Sequence, residues 1–230
     1  MGYDVWVGNN RGNMYSRKNK HINPDTDPAD FFAFSFQQMG LYDFPAQVDM
    51  IKKKTGVKKV TYMGHSQGTT QMFYMLCASQ PEVVKRVNLF IALNPVAYMN
   101  HVQVPFLKQL ADLTDNIYNS LVSSGYFEFF GPGWDEFSTS VCNHWYTKPL
   151  CDGLTAFKYS AYKNKFNYAD RLKLSSVNKV NGISIQQLAH FGQLVANGQM
   201  MDYDYGSEEE NMKHYGQAAP NKYEFSSITD

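Results

Sequence analysis

The sequence predicts an α/β protein in which a mostly parallel sheet is followed by a helical insertion. Short apolar runs alternate with helical patterns up to about residue 95, which is typical of a parallel sheet covered by helices on both faces. From residue 97 to about residue 215, weak helical patterns and many aromatic residues replace that alternation. A length of 230 residues also favours one domain with a large insertion over two equal domains.

The first predicted elements are a strand, a turn-rich loop and two helical segments. Residues 3–7 alternate in the manner of a strand, which the turn cluster at 8–13 ends. Residues 31–39 form an aromatic segment for which a helix is favoured, with the aromatic side chains in the core. A clearer helix opens at Pro45, which fits a first turn, and ends at Gly56, which fits a C-terminal cap.

The next elements predict the centre of the sheet. Residues 60–63 are expected to form a short buried strand, and residues 69–79 a helix. A second buried strand is expected at 87–93. The turn between the first strand and the helix therefore lies where the carboxyl edge of the sheet is expected.

That turn carries a G-x-S-x-G pattern, the strongest chemical signal in the sequence. Gly64 and Gly68 bracket Ser66, and without side chains they allow the strand and the helix to approach closely enough to hold a strained serine. The N-terminus of the helix would direct the Gln67 amide to the same place as the serine hydroxyl. His65 is expected to pack beneath the turn and not to act as the base. The alternative is a serine in an ordinary strand-to-helix turn, and the catalytic interpretation is favoured.

The composition excludes some partners and favours others. Lys+Arg 21 balance Asp+Glu 21, so no basic field is present to hold a nucleic acid. Aromatic residues make up 15% and charged residues only 18%, which suits contact with lipid but equally a bulky core. The sequence contains no run of eighteen apolar residues, so no ordinary transmembrane helix is expected. No H-E-x-x-H pattern or Cys/His cluster predicts a metal site, and no cofactor is expected. Arg11 is expected to bond loop carbonyls, and the alternative is a contact with substrate.

Several further motifs follow one another in a specific order, and with the G-x-S-x-G turn they resemble the acid lipases. These are the gastric, lysosomal and related lipases of the α/β-hydrolase fold. The resemblance covers nearly the whole chain, and its motifs lie at residues 2–13, 32–36, 42–46, 64–69, 92–97, 141–142, 150–151, 203–206 and 212–215.

The resemblance implies a role for each region. Ser66 would be the acyl-enzyme nucleophile, and Gln67 would supply one oxyanion-hole amide. Residues 1–96 would form an α/β-hydrolase core segment, residues 97–215 a helical cap and lid over an acyl pocket, and residues 216–230 a linker towards further core.

The resemblance also implies a disulfide between Cys142 and Cys151. The alternative is two reduced buried thiols, which their spacing alone leaves open. The disulfide would imply an oxidising compartment, in accord with the lysosomal or secreted location that the resemblance implies. Cys77 is expected to be a small core residue.

Some features of the acid lipases have no counterpart here. The His-Gly-Leu loop of the second oxyanion amide, the catalytic Asp and His, and the leader peptide are all missing from the 230 residues. The sequence is therefore expected to be an internal piece, truncated at both ends. The histidines that could replace the base are His101, His144, His190 and His214, and none follows a strand-like run. The chain as given is expected to have little lipase activity.

The expected function is that of a serine esterase or lipase. It would cleave acylglycerols or sterol esters at a lipid–water interface through an acyl-enzyme on Ser66. One alternative is acyl transfer or thioester hydrolysis on the same turn, because a fold does not determine its substrate. The alternative from another class is a non-catalytic lipid-binding module.

Overall fold

The structure is a computed structural model that describes residues 2–78, 81–103, 108, 111, 114–129, 131 and 182–228. The helices are α1 (Pro28–Phe31), α2 (Phe36–Gln38), a π-helical turn (Met39–Asp43), α3 (Phe44–Thr55), α4 (Gln67–Cys77), α5 (Pro81–Val84), a 3-10 turn (Met99–His101), α6 (Thr114–Ser123), α7 (Ile185–Asn197), α8 (Glu208–Tyr215) and a 3-10 turn (Phe225–Ser227). The strands are β1 (Val60–His65), β2 (Val87–Leu93), β3 (Glu128–Phe129), β4 (Ile183–Ser184), β5 (Met200–Met201) and β6 (Lys222–Tyr223).

The longest strands, β1 and β2, pair in parallel, as the alternation of strands and helices predicts. Thr61 lies opposite Leu89 and His65 opposite Leu93, so both strands end at the same edge. The chain leaves β1 through α4 and returns through α5, the kind of helical connection that a parallel pair requires. The α/β class is therefore confirmed.

The burial of these strands differs from the prediction. One face of the pair packs against a cluster of side chains that includes Phe44 of α3 and Met72 of α4. The other face is open among the described residues, and Met63, Leu89 and Leu93 on the two strands are 62%, 52% and 43% exposed. Both strands are thus half-buried, because the described helices cover one face.

The strand predicted at residues 3–7 is absent. Residues 2–10 have no regular secondary structure, and Tyr3 and Val7 are exposed. A strand is stabilised by hydrogen bonds to a neighbour, and none of the described strands pairs with this segment.

Helix α3 forms for the reasons that its sequence suggests. Pro45 lies in the first turn, and Lys52, Lys53 and Lys54 lie in the last turn, where their charges interact favourably with the helix dipole. Gly56 ends the helix with φ 77°, a conformation that glycine adopts without strain. These predictions are confirmed.

The aromatic segment before α3 is helical in part and buried. Phe32, Phe34 and Phe36 are at most 3% exposed. Ser35 caps α2 by accepting from the Gln37 N–H, and the Gln38 side chain accepts from the Ser35 N–H in return. The prediction that these aromatic residues belong to the core is confirmed.

The stretch expected to be a linker is attached to the core by a buried carboxylate. The hydroxyls of Tyr74 on α4 and Tyr223 on β6 both donate to Asp202 Oδ1, the latter at 3.0 Å. The side-chain amide and N–H of Asn221 donate to Asp202 Oδ2 at 2.6 and 3.3 Å. Burial, with the Asp202 charge, raises the pKa of Tyr74. Asn221 and Tyr223 are therefore linked through Asp202 to Tyr74 on α4, while the predicted domain boundaries stay predictions.

None of the helices within the described ranges has the length and apolar character needed to cross a membrane.

Candidate active site

Ser66 occupies a sharp turn between β1 and α4. Its backbone has φ 52° and ψ −117°, a left-handed conformation that costs a residue with a side chain about 1–3 kcal/mol. The turn is held by the Ser66 N–H, which donates to Leu93 O at the end of β2 at 3.1 Å. The Ser66 side chain is exposed and does not cap α4. The turn thus presents a hydroxyl at the carboxyl edge of both strands.

The two glycines of the turn allow the close approach that the pattern predicts. A Cβ on Gly64 would lie 2.6 Å from Gly68 O and 2.8 Å from the Tyr62 ring. The Tyr62 hydroxyl donates to Gly68 O at 2.8 Å and accepts from Gln71 Nε2 at 2.9 Å. Only glycine at position 64 leaves room for the first turn of α4 to lie against β1.

Gln67 begins α4 directly after Ser66. Its N–H is among the first donors of a helix, which have no acceptor within the helix and can bind an anion. The Thr69 hydroxyl and N–H both donate to Ser66 O, at 2.6 and 2.8 Å, and brace the turn from the helix side. The arrangement can stabilise negative charge beside the Ser66 hydroxyl. The catalytic roles of Ser66 and Gln67 stay predictions.

His65 does not pack beneath the turn as expected. It is exposed, and its Nε2 lies 3.1 Å from the side-chain amide nitrogen of Asn94, just after β2. Successive residues of β1 lie on opposite faces of the strand pair. Gly64 lies on the covered face and is buried, so His65 lies on the uncovered face.

The histidines considered as a base do not reach Ser66 in the described parts of the chain. His101 is exposed in the 3-10 turn before α6, and His214 stacks on Tyr205 with ring centroids 3.6 Å apart. His190 is buried in α7 with both ring nitrogens engaged. His144 lies outside the described residues. No hydrogen bond joins Ser66 to a histidine among the residues that are described.

Sequence reasoning missed the buried pair of Ser35 and His190. His190 Nε2 lies 3.0 Å from Met201 O, and because a carbonyl only accepts, we assign the ring hydrogen to Nε2. Nδ1 then accepts from the Ser35 hydroxyl at 2.8 Å, and the ring stacks on Phe36. Burial lowers the pKa of His190 to about 3. The pair resembles a serine–histidine dyad in chemistry, but its burial makes it structural.

We expect His190 to make the fold less stable as the pH falls below about 6.5, the usual pKa of an unfolded histidine. Between that value and the folded pKa of about 3, the unfolded chain binds one more proton than the folded chain. Stability should therefore fall by about 1 kcal/mol per pH unit from this group alone. Urea unfolding of His190→Gln should show a shallower pH slope than the unsubstituted chain, and the exposed His101→Gln should not. Equal slopes for all three proteins would contradict this assignment.

Arg11 binds a carboxylate and not the loop carbonyls that were expected. The side-chain Nε of Arg11 donates to Asp43 Oδ1 at 2.8 Å, and the backbone N–H of Arg11 donates to Asp43 Oδ2 at 2.9 Å. The π-helical turn brings Asp43 to the loop, and no local pattern near Arg11 signals that contact. A surface cavity of about 250 Å³ lies beside this pair.

The predicted disulfide between Cys142 and Cys151 falls outside the described residues. Cys77 is buried in α4, as expected, and burial raises the pKa of its thiol to about 11. Over the described ranges, no group of His, Cys, Asp and Glu side chains is arranged to hold a metal ion.

Comparison with known proteins agrees with this geometry. Residues 1–200 match the α/β-hydrolase fold family. The chain is 36% identical over 228 residues to gastric triacylglycerol lipase of Rattus norvegicus, covering 99% of this chain and 56% of that protein. It is 35% identical over 222 residues to lysosomal acid lipase/cholesteryl ester hydrolase of Homo sapiens, covering 96% of this chain and 54% of that protein. The chain thus spans about half the length of the curated relatives it matches.

Proposed function

The chain belongs to the α/β-hydrolase family, and on that premise we propose that it is the nucleophile-bearing part of a serine ester hydrolase. The observation that carries the proposal is the strained Ser66, placed between a parallel strand and a helix N-terminus. A backbone strain of this kind persists only where its surroundings hold it, and it is frequent at active sites. Here Gly64, Tyr62 and Thr69 hold it.

The chemistry follows from the placement. The Ser66 oxygen attacks the ester carbonyl while a base takes its proton, and the carbonyl oxygen becomes an oxyanion that accepts from the Gln67 N–H. The carbonyl re-forms, the bond to the alcohol breaks, and the alcohol leaves with a proton. Water then attacks the acyl-enzyme, releasing the fatty acid and restoring the Ser66 hydroxyl.

The substrate class that we propose is acylglycerols or sterol esters, met at a lipid–water interface in a lysosomal or secreted setting. The support is the pair of activities named for relatives at 35–36% identity, a triacylglycerol lipase and a cholesteryl ester hydrolase. Acyl transfer or thioester hydrolysis would use the same turn. A non-catalytic lipid-binding module is the alternative from another class.

We propose that the base is none of the described histidines, because none of them is hydrogen-bonded to Ser66, and that it is not His144 either, because no strand-like run precedes that residue. We therefore expect the 230-residue chain to hydrolyse a short p-nitrophenyl ester no faster than its Ser66→Ala variant. The measurement is the initial rate of p-nitrophenolate release, with both proteins shown to be folded by circular dichroism. Turnover that depends on Ser66 would overturn this placement and make His144→Ala the next variant.

The substrate proposal is tested on the natural protein that contains these residues. Emulsified triacylglycerol and cholesteryl oleate should release fatty acid at rates that Ser66→Ala abolishes. Binding of both lipids without release, and without covalent labelling by a fluorophosphonate, would establish the lipid-binding alternative instead.

A further inference from the structure

The side chain of Gln67 is held from two sides. Gln67 Oε1 accepts from Nε2 of Gln187 on α7. Gln67 Nε2 lies 3.2 Å from Sδ of Met39 in the π-helical turn, and thioether sulfur is a weak acceptor. The residue that follows Ser66 is therefore tied to α7 by its stronger side-chain contact.

The position of Gln187 is determined by contacts that do not involve Gln67. Just before α7, the Ser184 hydroxyl donates to Phe32 O at 2.6 Å, and the backbone N–H of Ile185, the first residue of α7, donates to Phe127 O at 3.0 Å. Gln187 itself is only 3% exposed. The N-terminus of α7 is thus anchored to two other segments, and it presents the Gln187 amide to Gln67.

The side-chain oxygen of Gln187, Oε1, is costly to bury. Gln187 Oε1 has no hydrogen-bond partner within the described part of the chain. A buried acceptor without a donor costs about 1–3 kcal/mol, so an apolar side chain of similar size would serve stability at least as well. The glutamine is therefore better explained by its contact with Gln67 than by stability.

We propose that Gln187 is a positioning residue for the oxyanion site, an inference that rests on the proposed function. By holding the Gln67 side chain, it keeps the Gln67 N–H directed at the carbonyl oxygen of the ester bound to Ser66. A donor of this kind acts on charge that develops in the transition state, so loosening it lowers kcat and leaves KM nearly unchanged.

The test uses Gln187→Leu in the natural protein, with Gln186→Leu as the matched control. Gln186 is the adjacent residue of α7, is 5% exposed and also has one buried amide atom, Nε2, without a partner among the described residues. It therefore resembles Gln187 in residue type, position and burial, but the hydrogen bond to Gln67 is made by Gln187.

We expect Gln187→Leu to lower kcat about tenfold or more, because a misplacement of about 1 Å at a reacting centre can cost a hundredfold. KM and Tm should stay close to those of the unsubstituted protein, and Gln186→Leu should keep its kcat. Gln187→Met, which keeps the length and flexibility of glutamine, repeats the test if the leucine variant does not fold. Equal kcat in the Gln187 and Gln186 variants, or a change in Tm alone, would overturn the inference.

Ser66→Ala separates this inference from the proposed function. If hydrolysis persists in Ser66→Ala, the proposed function fails. If hydrolysis depends on Ser66 but Gln187→Leu has the kcat of the unsubstituted protein, only the positioning role fails.

Discussion

Ser66→Ala in the natural protein should lower kcat/KM for ester hydrolysis by a factor on the order of 10⁴ or more. On the proposed mechanism the substitution removes the oxygen that becomes acylated, and the oxyanion site and substrate binding alone would retain only about 10³–10⁴-fold acceleration over water. Stability should change little, because the Ser66 side chain is exposed and does not cap α4. Ester turnover and the thermal transition of the purified proteins measure both expectations.

Ser35→Ala is the matched control, because Ser35 is a serine hydrogen-bonded to a histidine elsewhere in the fold. It should keep kcat and lower the thermal transition, since it leaves His190 Nδ1 buried without its donor. If Ser35→Ala were inactive while Ser66→Ala kept its activity, the nucleophile would be the buried serine and our assignment would be wrong.

Gly64→Ala should lower the free energy of unfolding by about 3 kcal/mol, the upper end of the usual cost of overpacking. The new methyl group would lie 2.6 Å from Gly68 O and 2.7 Å from Gly68 C, and backbone atoms cannot move aside as a flexible side chain can. The turn would have to open, so ester hydrolysis should fall as well. Urea unfolding and the rate of hydrolysis test the two effects.

Gly68→Ala is the control for Gly64→Ala. Among the described residues its methyl group would meet only the Tyr62 hydroxyl, at 3.4 Å, and alanine favours a helix by about 1 kcal/mol over glycine. The free energy of unfolding should therefore change by no more than about 1 kcal/mol. Equal destabilisation by the two substitutions would show that close approach at position 64 is not what holds the turn.

The local features of the fold could be predicted because their causes are local. The turn at Ser66 follows from two glycines between a strand and a helix, and the ends of α3 follow from Pro45 and Gly56. Strand β2 was predicted with the bounds that it has, since its apolar run ends at Asn94, which itself adopts φ 48°.

The remaining features depend on residues far apart in sequence. Ser35 and His190 are separated by 155 positions, and Tyr74 and Asp202 by 128, so no local pattern signals either contact. The sequence predicts that β1 and β2 are buried, whereas one face of the pair is exposed. An apolar run indicates that a strand can be buried, but it does not indicate which elements cover each face. The same limit explains Arg11, whose carboxylate partner lies 32 positions away.

The central claim is that Ser66 forms the covalent intermediate. The most direct test is to treat the natural protein with a fluorophosphonate, digest it, and locate the adduct by tandem mass spectrometry. We predict one phosphonylated residue, Ser66. The corresponding peptide of the Ser66→Ala variant should carry no label. An adduct on any other residue, or ester hydrolysis that continues after Ser66 has been fully modified, would contradict the claim.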